Sequence, residues 1–420
     1  MRRVLLLATT TGYQVRSFGE AAERLGVELV FATDRCHVID DPWQDGAIPI
    51  RFHEEDASVD AILTAARSKP IDGVVVVGDR PTVIGARVAG ALGLPGHPAA
   101  GAAAARNKLL SRERLRAAGL PVPWFRAIRV DDDLRGVAPD AFPCVVKPLA
   151  LSGSRGVIRA DDAAGFRTAF ERVRAILKSP DVLAECADAH EVVLVEGFIP
   201  GREYALEGLL TDGALQTLAL FDKPDPLDGP FFEETIYVTP ASVPEPVHRA
   251  IETAVARAAE ALGLRHGPIH AECRVDARTV HVLEVAGRPI GGLCARALRF
   301  DGDASLEELL LRHALGESTA RWQREAAASG VMMIPIPASG VFRGVVGVEA
   351  ARAVSDVEDV RITAKPDQRL VRLPEGASYL GFIFARAGTP ARVEQALRDA
   401  HARLRFTVDP EVPVVQSPHG

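Results

Sequence analysis

Two rhythms of apolar residues alternate along the first hundred positions of the chain. Val4–Ala8, Glu28–Ala32 and Gly73–Val77 are short, nearly unbroken apolar runs that read as buried strands. Ser17–Leu25, Ala57–Ala66 and Pro81–Leu92 repeat their apolar positions every three or four residues and read as amphipathic helices. Strand and helix in turn are the βαβ rhythm of a parallel sheet, so residues 1–105 are expected to form one α/β unit. Thr9-Thr10-Thr11-Gly12, after the first strand, lacks the spaced glycines of a dinucleotide fingerprint. It reads as a structural turn or a substrate-facing loop.

Further on the rhythm changes. Leu109, Leu110, Leu115 and Leu120 form a helical stripe closed by Gly119-Leu120-Pro121-Val122-Pro123, after which a new subdomain begins. Ala141–Val146 and Val192–Val195 read as strands and Ala163–Leu177 as a helix, a small α+β unit with a glycine loop inside it. Strands dominate to about Val238, a helix is expected over Pro246–Leu262, and a hairpin over Ile269–Ala286. Several short strands, a helix near Thr389–Leu404 and a disordered-looking tail at Ser417–Gly420 complete the pattern. The expectation is an α/β and α+β multidomain chain, divided at 1–105, 106–195, 196–325 and 326–420.

Composition agrees: 420 residues exceed one ordinary core, and 47% hydrophobic against 25% charged residues marks a globular protein. A formal net charge of −7, without basic runs, argues against a nucleic-acid partner. The five cysteines, with no C-x-x-C pair, suit a reducing, cytoplasmic setting. The opening Met1-Arg2-Arg3-Val4-Leu5-Leu6-Leu7-Ala8 imitates a signal peptide, but its apolar run is too short, and no stretch is long enough to span a membrane.

The candidate chemistry begins at Lys147, which closes an apolar strand where a buried ammonium is costly unless an anion meets it. Ser152-Gly153-Ser154-Arg155-Gly156 follows closely, with glycines that let backbone N–H groups converge and hydroxyls that add donors, the equipment of a phosphate cradle. No G-K-[ST] follows, so this is not a P-loop. In Glu196-Gly197-Phe198-Ile199-Pro200-Gly201-Arg202-Glu203 a strand runs into a glycine/proline turn between two carboxylates. Such a hinge suits an adenine edge, with Glu196 toward the exocyclic amine and Glu203 toward the ribose.

The hairpin is the most informative stretch. Alternation puts His270, Glu272 and Arg274 on one face, and a turn near Arg278 sets Glu272 opposite Glu284. Two facing carboxylates repel unless a cation lies between them, and Mg²⁺ is the hard ion that takes few protein carboxylates alongside nucleotide oxygens. Arg288 follows among glycines, where its guanidinium can grip a phosphate or carboxylate. Lys108 and Lys223 are further candidate anion binders that would equally serve as surface lysines, and His270 is either structural or a ligand.

Taken in order, Lys108, Lys147, the Ser/Gly loop, the Glu196–Glu203 hinge, the Glu272/Glu284 pair and Arg288 resemble the ATP-grasp superfamily. The tract Glu284–Gly292 and the segment Gly229–Glu234 resemble its L-amino-acid ligase and carnosine-synthase-like group. The resemblance implies a Rossmann-like N-terminal pre-ATP-grasp domain, a lid subdomain over 106–195, a metal-binding catalytic subdomain over 196–325 and a C-terminal mixed α+β domain. It implies ATP held by Lys108, Lys147, Ser152, Gly153, Ser154, Gly156, Glu196, Phe198, Ile199 and Glu203, with Mg²⁺ on Glu272 and Glu284. Arg288 and Lys147 would be catalytic, and Arg288, Gly291, Gly292 and Glu233 would meet the substrate. The family usually carries asparagine where this chain has Ala286, so a second Mg²⁺ would be held more weakly.

The activity so implied is amide formation between a carboxylate, an amino acid, and an amine through an acyl phosphate, with ADP and phosphate released. The alternatives are a purine-pathway or biotin-carboxylase-like ligase and a non-catalytic ATP sensor. The expected partners are ATP and the small-molecule carboxylate and amine, with a homodimer as the commonest assembly.

Overall fold

The computed structural model describes residues 1–9, 13–34, 47–136, 139–277 and 279–410. The Thr10–Gly12 turn, Arg278 and the terminal tail lie outside them. The chain opens with β1 (Arg3–Ala8), α1 (Tyr13–Leu25), β2 (Glu28–Asp34), β3 (Ile48–Ile50), α2 (Glu55–Ser68), β4 (Gly73–Val77), α3 (Thr82–Ala91) and α4 (Ala99–Arg106). The four strands form a parallel sheet in the order β3-β2-β1-β4. Its central strand, Val4 to Leu7, is fully buried, as the unbroken apolar run requires when both faces are covered.

A lid unit follows: α5 (Lys108–Ala117), β5 (Phe125–Arg129), β6 (Cys144–Pro148), β7 (Ile158–Ala160), α6 (Ala163–Leu177), the single turn α7 (Pro180–Leu183) and β8 (Val192–Gly197). Its sheet has the order β5-β8-β6-β7. Asn107 caps α5, its side chain accepting from Leu109 N–H and Leu110 N–H at 3.0 and 3.1 Å, and so sets Lys108 in the first turn.

The next elements are β9 (Arg202–Thr211), β10 (Ala214–Asp222), β11 (Ile236–Thr239), α8 (Glu245–Leu262), β12 (Gly267–Asp276), β13 (Thr279–Ala286), the short β14 (Arg299–Phe300) and β15 (Ala304–Ser305), and α9 (Leu306–Ala314). The chain ends with β16 (Ala328–Ile334), β17 (Gly340–Val346), α10 (Val348–Arg352), β18 (Val357–Ile362), β19 (Arg369–Leu370), β20 (Gly381–Ala387), α11 (Pro390–Arg403) and β21 (Arg405–Asp409). One eight-stranded sheet, β13-β12-β9-β10-β11-β16-β20-β18, runs through both stretches. The ladder between β11 and β16, with Val238 opposite Gly330, therefore carries the sheet straight across residue 326.

Two long-range contacts position the site. Helix α9 joins the apolar cluster built by β1, α1 and β4, so the N-terminal sheet is roofed by a helix from much later in the chain. Alternation along β9 and β12 buries Tyr204, Leu206, Ile269, Ala271 and Cys273 against α8, and leaves their neighbours for the other face. No helix among the described residues is long and apolar enough to cross a membrane.

Candidate active site

The outward-turned face of β9, β12 and β13 floors a cavity of about 820 Å³. Lys108, Lys147, Ser152, Gly153, Ser154, Glu196, Phe198, Ile199, Glu203, Glu272, Glu284, Ala286, Arg288, Gly291 and Gly292 all line it. Two expected residues do not. Gly156 instead donates its N–H to Pro374 O at 2.8 Å, and Glu234 lines the cavity where Glu233 was expected.

At one end Lys147 Nζ meets Glu196 Oε1 at 2.5 Å, and Arg112 binds the same carboxylate through Nε at 2.8 Å and Nη2 at 3.2 Å. All three side chains are buried. Burial opposes ionisation of Glu196, but Arg112 and Lys147 outweigh it and hold the carboxyl at about 2. Burial also lowers the Lys147 ammonium to about 8, with Glu196 pulling the other way. Glu196 is thus an anchor for two cations, and an adenine amine would share its oxygens. Arg112 escaped the sequence reading, although it lies four residues after Lys108 and so on the same face of α5.

The Ser152–Gly156 loop lies beside Lys147 under a C-terminal segment. Gly156 has φ +74°, and a Cβ there would approach Pro148 Cγ to 2.8 Å, so the turn needs glycine. Arg155 Nε donates to Glu375 O at 2.8 Å, and Arg172 from α6 donates to the Glu375 carboxylate through Nη2 at 3.0 Å. The loop therefore sits closed against residues 374–377. In the hinge, Phe198 N–H donates to Pro143 O at 3.0 Å and Ile199 O accepts from Arg274 Nη1 at 2.8 Å.

The other end is rich in carboxylates. Lys223 Nζ, 3% exposed, bonds Glu203 Oε1 at 2.8 Å and Glu234 Oε1, and lies 3.1 Å from Glu272 Oε1. Its three N–H groups thus face three carboxylates. Burial opposes its charge, yet those carboxylates raise it well above the usual lysine value. Glu234 is pushed up to about 7 by burial and then by Glu272. Tyr237 OH donates to Glu234 Oε1 at 2.9 Å. Glu203 also accepts from Arg274 Nε at 2.9 Å, so a ribose hydroxyl would add to these partners on a spare lone pair.

Glu272 and Glu284 stand directly opposite in the β12–β13 ladder, as expected, through a bulge that leaves Leu283 unpaired between Cys273–Val282 and Glu272–Glu284. Glu203, Glu234 and Glu272 bring carboxylate oxygens within 4.8 Å of one another, but the Lys223 ammonium already lies among them. Glu272 and Glu284 also offer hard oxygens suited to Mg²⁺, and an ion there would share Glu284 with Lys108 Nζ, 3.1 Å from its Oε2, and Glu272 with Lys223 Nζ. Ala286 faces His270 across the same ladder and adds no donor.

Arg288 forks onto Asp79, at the end of β4, through Nε at 2.8 Å and Nη2 at 3.1 Å, and gives one Nη1 hydrogen to Pro289 O at 3.0 Å. One N–H remains on each terminal nitrogen. Burial opposes its charge and Asp79 restores it, so the guanidinium is held protonated. Asp79 also escaped the sequence reading, although the carboxyl ends of parallel strands are where ligands gather.

Comparison with known proteins adds to this geometry. Residues 140–297 match the model of an ATP-grasp domain, residues 19–96 an ATP-grasp N-terminal domain, and residues 332–409 an L-amino acid ligase C-terminal domain 2. The crystal structure of L-amino acid ligase from Bacillus licheniformis superposes with a TM-score of 0.83 at 28% identity, over 97% of this chain and 99% of that one. Alanine–anticapsin ligase of Bacillus subtilis is 26% identical over 56% of this chain, which spans only about half (52%) of that ligase. Phosphoribosylglycinamide synthetase from Anaerococcus prevotii shares the fold at 16% identity and a TM-score of 0.67, over 97% of this chain and 100% of that one.

Proposed function

We propose, from the ATP-grasp domain matched over residues 140–297 and the L-amino acid ligase C-terminal domain 2 matched over residues 332–409, that the chain is an ATP-grasp ligase that joins an amino acid to an amine through an acyl phosphate, converting ATP to ADP and phosphate. The observation that carries the reading is one cavity whose cation-rich end, around Lys147, lies across from a carboxylate-rich end around Lys223. The co-location of Lys147, Glu272, Glu284 and Arg288 favours turnover over a sensor role, and the match over 332–409 favours amino acids over purine intermediates or bicarbonate.

A carboxylate resists an amine because oxide would have to leave; phosphorylation lets the same oxygen leave as phosphate. Lys108, Lys147 and the Ser152–Ser154 backbone are suited to hold the phosphates of ATP in line with the substrate carboxylate. Glu272 and Glu284 would hold Mg²⁺, which when bound would neutralise charge on the phosphate oxygens. The two spare Arg288 N–H groups suit the transferred phosphoryl group or the oxyanion formed when the amine attacks. Glu234 suits the ammonium group of an amino acid. The closed Ser152–Gly156 loop keeps water from the acyl phosphate. The division at 105, 195 and 325, the last a boundary along the chain that the eight-stranded sheet crosses, and assembly as a homodimer belong to the same proposal. So does a cytoplasmic setting, which the unpaired Cys144, Cys186, Cys273 and Cys294 support.

Isotope transfer tests the mechanism. With ¹⁸O in the substrate carboxylate, phosphate carrying one label is expected together with ADP and the amide. Labelled AMP, or unlabelled phosphate accompanying amide, overturns the acyl phosphate.

A further inference from the structure

The chemistry above leaves Glu207, a fully buried carboxylate of the catalytic sheet, unused. Glu207 on β9 is 0% exposed and stands directly across the ladder from His270. Its Oε2 accepts from His270 Nδ1 at 3.0 Å, and both of its oxygens lie 3.1 Å from the Ile290 N–H. Among the described residues His270 is its one ion-pair partner. A carboxylate so deeply buried is costly unless its bonds fix something.

What it touches is informative. Ile290 is the centre of the Arg288–Gly292 loop, and that loop is tied at alternate residues. Asp79 holds the Arg288 side chain, Glu207 holds Ile290 N–H, and Gln14 Nε2 donates to Gly292 O at 2.8 Å. Two of the ties come from the N-terminal sheet and its helix; only Glu207 comes from the catalytic sheet. Through His270 the same carboxylate reaches β12 two residues before Glu272, and His270 Nε2 lies 3.8 Å from Glu272 Oε1.

We propose that Glu207 is a positioning residue: it couples the strand bearing Glu272 to the loop bearing Arg288, and so sets the distance between the metal carboxylates and the guanidinium. Glutamine offers one acceptor oxygen and no charge: with Ile290 N–H on that oxygen, its NH₂ meets His270 Nδ1 only when the imidazole is neutral and carries its proton on Nε2, so the tie to β12 is loosened. The proposal rests on the ligase reading for what the two ends hold, and on Glu207's own contacts for the coupling.

The test compares wild type, Glu207→Gln and Glu207→Ala, each also in an Arg288→Ala background. Two measurements are made: binding of MgADP with and without aluminium fluoride, which mimics the transferred phosphoryl group, and kcat with KM for ATP. Glu207→Gln is expected to leave MgADP affinity within about threefold of wild type. It should remove most of the tightening by aluminium fluoride and lower kcat about 10²-fold, the scale of an ångström-sized misplacement. In the Arg288→Ala background it should cost almost nothing more, because the two residues act as one unit. Wild-type kcat and wild-type tightening in Glu207→Gln overturn the proposal, as does an equal further loss in the Arg288→Ala background. If Glu207→Ala does not fold, the glutamine variant decides. The fluoride readout needs no amino acid, so a chain that makes no amide yet shows the coupling loses the ligase reading and keeps the positioning role.

Discussion

Two buried lysines face each other's opposite circumstances. Lys147 and Arg112 share the single carboxylate of Glu196, so cations outnumber anions, and the Lys147 ammonium is lowered to about 8. Lys223 meets Glu203, Glu234 and Glu272 at once, with Arg274 sharing only Glu203, so carboxylates outnumber the lysine and arginine charges there, and its ammonium is raised. The same side chain, equally buried, has opposite surplus charge around it. An anion such as a nucleotide phosphate is welcome at the first end, and a metal ion or substrate ammonium at the second. Under the proposed function the two lysines would have different duties, Lys147 as a phosphate ligand held ready and Lys223 as a structural cation.

The sharpest way to break this contrast is to remove each charge. Lys223→Met takes the lysine from the partly buried Glu234 and Glu272 and leaves the buried Glu203 with Arg274, and the loss of stability should be up to about 3–5 kcal/mol, the scale of a broken buried ion pair. Thermal or urea unfolding reads it. Lys147→Met leaves Glu196 with Arg112 and should unfold far closer to wild type. Equal destabilisation of the two variants would abolish the distinction.

Turnover should rank the same pair differently. Lys147→Ala is expected to lower kcat about 10²–10³-fold, as when one preorganised donor to a developing charge is lost. Phosphate release in the presence of amino acids measures it. A near-normal rate would remove Lys147 from the phosphate site.

The smallest expected effect is on pH. Lys147 titrates at about 8 in the fold against an ordinary 10.5, so between these values the unfolded chain binds more protons. Stability from this group therefore rises with pH through that window, while activity falls, because the neutral amine cannot meet a phosphate. kcat/KM for ATP should drop about tenfold per pH unit above about 8. Lys147→Arg, which does not titrate there, should flatten that limb; a limb that persists belongs to another group.

Much of both ends was legible in the chain itself. The pairing of Glu272 with Glu284, expected from a turn near Arg278, also needs Leu283 left unpaired, whereas the strand lysine before a glycine loop and the shared face of His270, Glu272 and Arg274 follow from local periodicity. So do the parallel N-terminal sheet, the lid helix over Ala163–Leu177 and the helix ending at Leu262. The strand period of two also makes Glu207 share a face with Glu203, a signal that was present and went unused.

Partner choice was not legible. Arg112 meets Glu196 across 84 residues and Arg288 meets Asp79 across 209, and no spacing encodes such meetings. Nor does any pattern distinguish Glu234, which lines the cavity, from Glu233 beside it. The sequence by itself determined that Lys147 and the Glu272 face would lie inward, because alternation and apolar flanks decide that locally, but not that Arg112, Glu207 and Lys223 would be buried with them. Only the tertiary structure decided which opposite charge answers each one, because a buried ion is stabilised by whatever the packing of distant strands brings within about 3 Å.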